Sequence, residues 1–180
     1  YPATSIGWYR KGFEIPADDL GQRFLLEFDG AFRNAMVIFN NHYLGVSMSG
    51  YAPFTYDVTD FVNYGSKNII VVRLDATLNE GWFYEGAGIY RHVWLNVADP
   101  LHIAPWGTFV TSRLPEPKPG VPAAPATVTL RTTLVNTRAG AAGRLVSRVV
   151  DDTGRIVGRA ATPLAVPPGQ SRTVAQTVVV

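Results

Sequence analysis

The feature that most constrains the fold of this chain is a succession of short apolar segments, separated by turn residues about every ten positions. The turn pairs of the first half are Asp29-Gly30, Asn40-Asn41, Ser49-Gly50 and Tyr64-Gly65. No long segment repeats its apolar residues with the period of 3.6 that marks an amphipathic helix. The pattern therefore predicts an all-β protein, an antiparallel sandwich or jelly roll.

Individual segments carry the same signal. Phe24, Leu26 and Phe28 alternate with more polar residues, as expected for a strand with one buried face. The run Ile69–Leu74 is almost continuously apolar, which is typical of a strand in a sandwich interior. Only Asp57–Asn63 could form a helical turn, with Asp57 or Thr59 as its cap.

Charge and aromatic content divide the chain into two parts. Residues 1–100 contain 7 Lys/Arg and 11 Asp/Glu, whereas residues 101–180 contain 9 and 3. All but two of the 21 aromatic residues precede residue 101, the exceptions being Trp106 and Phe109. This division predicts two domains, 1–100 and 101–180.

The second part begins with Leu101–Ser112, which the pattern predicts to be a linker passing into a strand. Five prolines between residues 115 and 125 then indicate an exposed loop. Beyond them, Thr127–Asn136, Arg144–Val150 and Thr173–Val180 have strand patterns, with turn residues between the second and third. Short strands without helices predict an immunoglobulin-like sandwich.

Composition argues against several classes of protein. The arginines of the second part are spread singly, with almost no aromatics for base stacking, so no nucleic-acid partner is expected. No apolar run approaches the length of a membrane span. The absence of cysteine is compatible with cytoplasmic, periplasmic or secreted proteins and leaves localisation open.

Both ends of the chain look cut. Tyr1 begins almost in a strand, with no start methionine and no signal peptide, and Val178–Val180 ends in mid-strand. We therefore expect a fragment in which the first domain lacks its beginning and the second its end.

Catalysis by this chain alone is not expected. His42, His92 and His102 have no metal-ligand spacing and no motif that pairs them with a serine. His92 is expected to be a packed or rim residue rather than a base. No phosphate-binding glycine motif, metal site or cofactor is indicated.

The segment Glu80–Leu95 (EGWFYEGAGIYRHVWL) contains the candidate binding residues. Trp82, Tyr84, Glu80 and Glu85 place flat apolar rings beside carboxylates, an arrangement that can stack on a sugar ring and accept its hydroxyls. The alternative is an aromatic core cluster that closes a sandwich. Glu80 and Glu85 could also form a hydrolytic pair, although two such groups on one loop would be unusual.

Arg91 follows in the same segment. Its alternation with Ile89, Val93 and Leu95 predicts that it faces a core. A buried guanidinium must be paired, so we expect a structural ion pair. The candidate partners are Asp29, Asp57, Asp75 and Glu85.

Six pieces, in order, resemble the N-terminal sugar-binding domain of glycoside hydrolase family 2, the family of β-galactosidases, β-glucuronidases and β-mannosidases. They are Trp8–Phe13 (WYRKGF), Phe28–Gly30 (FDG), Val37–Asn41 (VIFNN, where the family usually ends in Asn-Gly), Gly50–Phe54 with Asp57-Val58-Thr59, Asn68–Arg73, and Gly86–Arg91 (GAGIYR). The remainder resembles the immunoglobulin-like domain that follows, at Pro105–Val110, Val135-Asn136 and Val150–Gly154. Almost the whole chain is covered.

The resemblance implies a galactose-binding-like jelly roll followed by an immunoglobulin-like sandwich. In this family two glutamates of a later (β/α)8 barrel hydrolyse a terminal β-linked sugar with retention, and neither is present here. The jelly roll contributes to the rim of the active site. In several members an aspartate from the loop before the GIYR-like strand touches the sugar, and alignment from Gly88 places that position on Trp82.

The resemblance therefore implies a non-catalytic, N-terminal part of a β-galactosidase-like enzyme, whose partners are carbohydrate and its own barrel. Two alternatives stay open. One is a stand-alone carbohydrate-binding module. The other is a structural role in packing or homo-oligomerisation, for which an exposed apolar patch would be the sign.

Overall fold

The computed structural model describes residues 5–78, 86–116, 119–120, 124–138 and 141–180. The chain divides into two compact units, residues 1–99 and 100–180. The described residues form strands, turns and two short 3-10 helices but no α-helix, which confirms the predicted all-β class. None of the helices in these ranges is long and apolar enough to span a bilayer.

The first unit is built from nine described strands. They are β1 (Ile6–Ile15), β2 (Arg23–Phe28), β3 (Ala31–Phe32), β4 (Ala35–Phe39), β5 (His42–Ser47), β6 (Phe54–Asp57), β7 (Ser66–Asp75), β8 (Gly88–Ile89) and β9 (Val93–Ala98). The 3-10 helices are Ala17–Asp19 and Thr59–Phe61. The second helix lies inside the predicted helical turn, but its N-cap is Val58 and not Asp57 or Thr59, so the predicted cap is wrong. The Asp57 carboxylate accepts the N–H of Thr59, the first residue of that helix.

Two antiparallel sheets enclose the core of the first unit. One has the order β1-β7-β4-β5 and the other the order β6-β2-β9, and β3 pairs with β8 beside them. The predicted alternation is confirmed in β2, where Phe24, Leu26 and Phe28 are buried. They pack against residues of the opposite sheet that include Val37 and Val72. Pleating alternates side chains between faces, so each apolar set reaches the same interior.

The second unit contains five described strands. They are β10 (Leu101–Arg113), β11 (Thr127–Asn136), β12 (Ala141–Val150), β13 (Ile156–Val166) and β14 (Gln170–Val179). One sheet has the order β10-β11-β14 and the other is the β12-β13 hairpin. Their inner faces meet in a core that includes Leu134, Leu145, Leu164 and Val174.

The structure corrects the prediction for Leu101–Ser112. These residues belong to one long strand, β10, which pairs with β11 along its length except for a register shift between Ile103 and Thr108. The bulge accommodates Pro105 and Gly107, which read in sequence as linker residues. Gly107 is needed there because a Cβ would lie 2.6 Å from the Ala104 carbonyl oxygen.

Candidate functional site

The four predicted sugar-contacting residues lie outside the described residues. Glu80, Trp82, Tyr84 and Glu85 all fall in the segment 79–85. What the structure describes is the surroundings of the two ends of that segment, which we call the loop roots: Asp75–Leu78 and Gly86–Ile89. The roles of the four residues stay predictions.

A cavity of about 230 Å³ opens at the second loop root. Its lining combines three aromatic rings with the main chain of the loop root: Phe32, Tyr51, Tyr90, Gly86, Ala87 and Gly88. We call it the aromatic pocket. Phe32 and Tyr51 meet edge to face, with ring centroids 5.6 Å apart. Tyr90 donates its hydroxyl to the Gly50 carbonyl oxygen at 2.9 Å, which ties the two walls of the pocket together.

Two glycines allow the walls to approach so closely. Gly88 has a φ of 141°, in the region that side chains rarely adopt, and pairs with Phe32 through the β3-β8 bridge. Gly50 lies against the Phe32 ring, where a Cβ would come within 2.2 Å of a ring carbon. Tyr51 therefore reaches Phe32 because the residue before it has no side chain.

Arg33 lies beside the pocket and is only 5 % exposed. Its guanidinium donates to the carbonyl oxygen of Leu78, at the first loop root, and lies 5.5 Å from the centroid of the Phe32 ring. Its own carbonyl oxygen accepts the Asp75 N–H at 3.0 Å. Arg33 thus connects the pocket wall to Leu78, the residue before the segment 79–85.

Sequence reasoning missed Arg33. The available signal was that it is the one charged residue in the apolar stretch Ala31–Phe39. A lone charged side chain in a buried strand region needs hydrogen-bonding partners, as was expected for Arg91.

Asp75 holds the first loop root through a local turn. Its carboxylate accepts the Thr77 hydroxyl at 2.6 Å and the Thr77 N–H at 3.2 Å. Its other oxygen accepts a hydrogen bond from Arg73 at 3.0 Å. The hydrogen bonds from Thr77, and then Arg73, lower the pKa of Asp75 below its usual value, because they stabilise the ionised carboxylate.

Arg91 does not have the predicted burial. β8 ends at Ile89 and β9 begins at Val93, so the alternation assumed across residues 90–92 is interrupted and Arg91 is exposed. Its guanidinium lies 5.8 Å from the Tyr90 ring centroid.

The described carboxylates proposed as partners of Arg91 are engaged elsewhere. Asp29 accepts from Trp94, Asp57 pairs with Arg23, and Asp75 pairs with Arg73. The remaining candidate, Glu85, lies outside the described residues. The exposure of Arg91 shows that the expectation of a core-facing side chain is wrong, whereas its predicted ion pair stays a prediction.

Comparison with known proteins places the first unit in a family. Residues 2–99 match the model of the glycosyl hydrolases family 2 sugar binding domain. The chain belongs to glycoside hydrolase family 2. This confirms the resemblance read from the motifs between Trp8 and Arg91.

The family 2 assignment is supported by individual relatives. The chain is 41 % identical over 133 residues to a β-galactosidase of Bacteroides ovatus, covering 73 % of this chain and 15 % of that protein. It is 31 % identical over 185 aligned positions to a β-glucuronidase of Formosa agariphila, covering 91 % of this chain and 18 % of that protein. The family 2 chain thus spans less than a fifth of the length of either relative.

A solved family 2 structure shows the same fold. The crystal structure of a family 2 member from Bacteroides cellulosilyticus matches 97 % of this chain and 23 % of its own, with a TM-score of 0.88 and 33 % identity. The likeness extends over residues of both units, and it confirms the predicted class of successive β-sandwiches.

The described part of this family 2 chain groups no three His, Asp or Glu side chains in a way that could hold a metal ion. The described lining of the aromatic pocket offers rings, two phenolic hydroxyls and main-chain groups, but no carboxylate. Such a surface can stack on an apolar ring face and hydrogen-bond to hydroxyls.

Proposed function

We propose that this chain is the non-catalytic, sugar-binding N-terminal part of a retaining β-glycosidase of the β-galactosidase type. Its aromatic pocket and the adjoining segment 79–85 would form part of the rim around the sugar. The observation that carries the proposal is the position of three rings, Phe32, Tyr51 and Tyr90, beside Gly86, which directly follows the segment 79–85 that contains Trp82. The relative with 41 % identity is named a β-galactosidase, which favours that substrate class.

The division of chemistry follows from the groups present. Retaining hydrolysis needs two carboxyl groups about 5 Å apart, one acting as nucleophile and one as acid and base. The described pocket lining offers rings and hydroxyls, which suit it to orienting a sugar. We assign cleavage to two glutamates of a (β/α)8 barrel elsewhere in the full-length protein.

Residues 101–180 would be the immunoglobulin-like domain between the sugar-binding domain and the barrel. The division of the chain at residues 99 and 100 and the two sheets of the second unit support this assignment. The gene product is expected to contain a barrel with its two glutamates, and determining the full reading frame tests that expectation.

Kinetics of the full-length protein test the rim assignment. Tyr51→Ala is expected to lower kcat/KM on a β-galactoside by about threefold to tenfold, since ring stacking contributes about 0.5–1.5 kcal/mol. Tyr43→Ala is the matched control, because Tyr43 is also an exposed tyrosine of the first unit but is not part of the pocket lining. An unchanged kcat/KM in Tyr51→Ala, with the fold intact, would overturn the rim assignment.

A further inference from the structure

The outer face of the β6-β2-β9 sheet carries a side-chain cluster that the aromatic pocket does not use. Glu27 of β2 lies directly opposite Trp94 of β9, and Asn96 is the next residue of β9 on that face. Asp29 and His92 lie just beyond the ends of these strands. We call these five residues, Glu27, Asp29, His92, Trp94 and Asn96, the outer-face cluster.

The indole of Trp94 is held in a fixed position yet remains accessible. Its Nε1 donates to an Asp29 carboxylate oxygen at 3.1 Å, and the same oxygen lies 3.7 Å from His92 Nδ1. The His92 and Trp94 rings lie with centroids 5.1 Å apart and an interplanar angle of 31°. Trp94 remains 49 % exposed and the His92 side chain 77 % exposed, so apolar ring surface faces solvent.

Hydrogen-bonding groups lie next to this ring surface. Asn96 donates to Glu27 Oε2 at 2.7 Å, which orients both side chains. Glu27 Oε1 and Asn96 Oδ1 accept no hydrogen bond from the described part of the chain. Each is an acceptor beside an exposed aromatic ring, the combination that receives a sugar hydroxyl while the sugar's C–H face stacks.

The charge of this face selects among sugars. Glu27 and Asp29 bring two carboxylates to the cluster. Of the nearby cations, Arg23 is paired with Asp57, and the Arg91 guanidinium lies beside the Tyr90 ring. A glycan that carries its own carboxylates would be repelled, whereas a neutral one would not. Solvated cross-strand pairs would account for Glu27 and Asn96, but they do not explain a half-exposed tryptophan whose N–H donates to a carboxylate.

We propose that the outer-face cluster is a second carbohydrate-binding site that prefers neutral hexose chains to acidic ones. It is separate from the aromatic pocket and does not depend on the rim role proposed above. One sugar ring stacks on Trp94 and donates its hydroxyls to Glu27 and Asn96. An extended glycan bound there would be held by the domain independently of the hydrolytic site.

The test is a titration of the 180-residue chain with two matched tetrasaccharides, mannotetraose and tetramannuronate. Both are β-linked and differ by oxidation of the primary alcohol to a carboxylate. Binding is followed by the NMR signal of the Trp94 indole N–H and by calorimetry. We expect millimolar binding of mannotetraose that moves the Trp94 signal, and at least about threefold weaker binding of tetramannuronate.

Variants separate this site from the aromatic pocket. Trp94→Ala and Asn96→Ala are expected to weaken mannotetraose binding by about threefold to tenfold each, whereas Trp8→Ala, which removes another exposed tryptophan, leaves it unchanged. Tyr51→Ala should also leave it unchanged, which distinguishes failure of this site from failure of the rim assignment. Glu27→Gln keeps a hydrogen-bond acceptor but removes a negative charge. The ratio of the two dissociation constants, tetramannuronate over mannotetraose, should therefore decrease.

The proposal is overturned if mannotetraose causes no change at Trp94 at tens of millimolar, about the weakest range that simple contacts of this kind support. It is also overturned if Trp94→Ala and Asn96→Ala fold and bind as well as the unmodified chain, or if tetramannuronate binds more tightly than mannotetraose.

Discussion

Arg33 donates a hydrogen bond from its guanidinium to the carbonyl oxygen of Leu78, 45 residues further along the chain. The contact joins the wall of the aromatic pocket to the residue that precedes the segment 79–85. Since the guanidinium is buried, its removal leaves a carbonyl oxygen with one donor fewer in a site that water reaches poorly.

Arg33→Met should therefore destabilise the first unit. We expect the free energy of unfolding to fall by about 1–3 kcal/mol, measured by urea denaturation of the 180-residue chain. Arg10→Met, at an exposed position of β1, is the control and should change it by less than about 0.5 kcal/mol. Equal stability of the two variants would show that the Leu78 contact has no net effect.

Gly50→Ala tests the close approach that forms the aromatic pocket. The added Cβ would lie 2.2 Å from a Phe32 ring carbon, so the ring or the main chain must move. Overpacking of this kind costs about 1–3 kcal/mol and should lower Tm. Gly86→Ala is the matched control, because a Cβ there meets nothing within 4 Å. A Tm loss of the same size in both variants would argue against the clash.

The hairpin between β4 and β5 predicts a stabilising substitution. Asn40 and Asn41 form its two-residue loop with φ values of 45° and 67°, and Asn40 also uses its side chain to bond Asn68 and Phe61. Asn41→Gly should raise the unfolding free energy by about 0.5 kcal/mol, because glycine adopts this conformation without steric cost. Asn41→Ala should lower the unfolding free energy. Chemical denaturation of the two variants shows whether each one raises or lowers it.

Acid sensitivity follows from the lowered pKa of Asp75. Because its folded pKa lies below the unfolded value, near 3.8, the stabilisation is present above that pH and is lost as pH falls through the folded pKa. Thr77→Val removes the hydroxyl that is the largest cause of the shift. The NMR titration midpoint of Asp75 should therefore rise.

Thr55→Val provides the control for that titration, since Thr55 is an exposed threonine of β6 with no recorded bond to Asp75. Its Asp75 midpoint should match that of the unmodified chain. A midpoint in Thr77→Val that stays at the original value would contradict the assigned cause.

Trp82→Ala in the full-length protein decides between the two roles of the loop aromatics. A sugar-facing Trp82 predicts a decrease of about threefold to tenfold in kcat/KM with little change in Tm. A core role predicts the reverse, lowered Tm with unchanged kinetics. Trp106→Ala, at an exposed position of the second unit, controls for nonspecific effects of losing an indole.

Local patterns predicted the strands well and the polar contacts poorly. The alternation of Phe24, Leu26 and Phe28 correctly predicted which side chains of β2 are buried, because the pleat of a strand depends only on consecutive residues. The same rule failed at Arg91, because a break between β8 and β9 resets which face a side chain occupies. The linker predicted at the start of Leu101–Ser112 is instead part of β10, because a bulge lets a paired strand contain residues typical of linkers.

The sequence by itself determined the all-β class and, through the motifs that end in Gly86–Arg91, membership of glycoside hydrolase family 2. Only the tertiary structure decided that Phe32, Tyr51 and Tyr90 line one pocket, that Arg33 reaches Leu78, and that Trp94 is bound by Asp29. Strand periodicity arises from neighbouring residues, whereas these contacts join positions 19 to 65 residues apart, which only sheet pairing and register bring together.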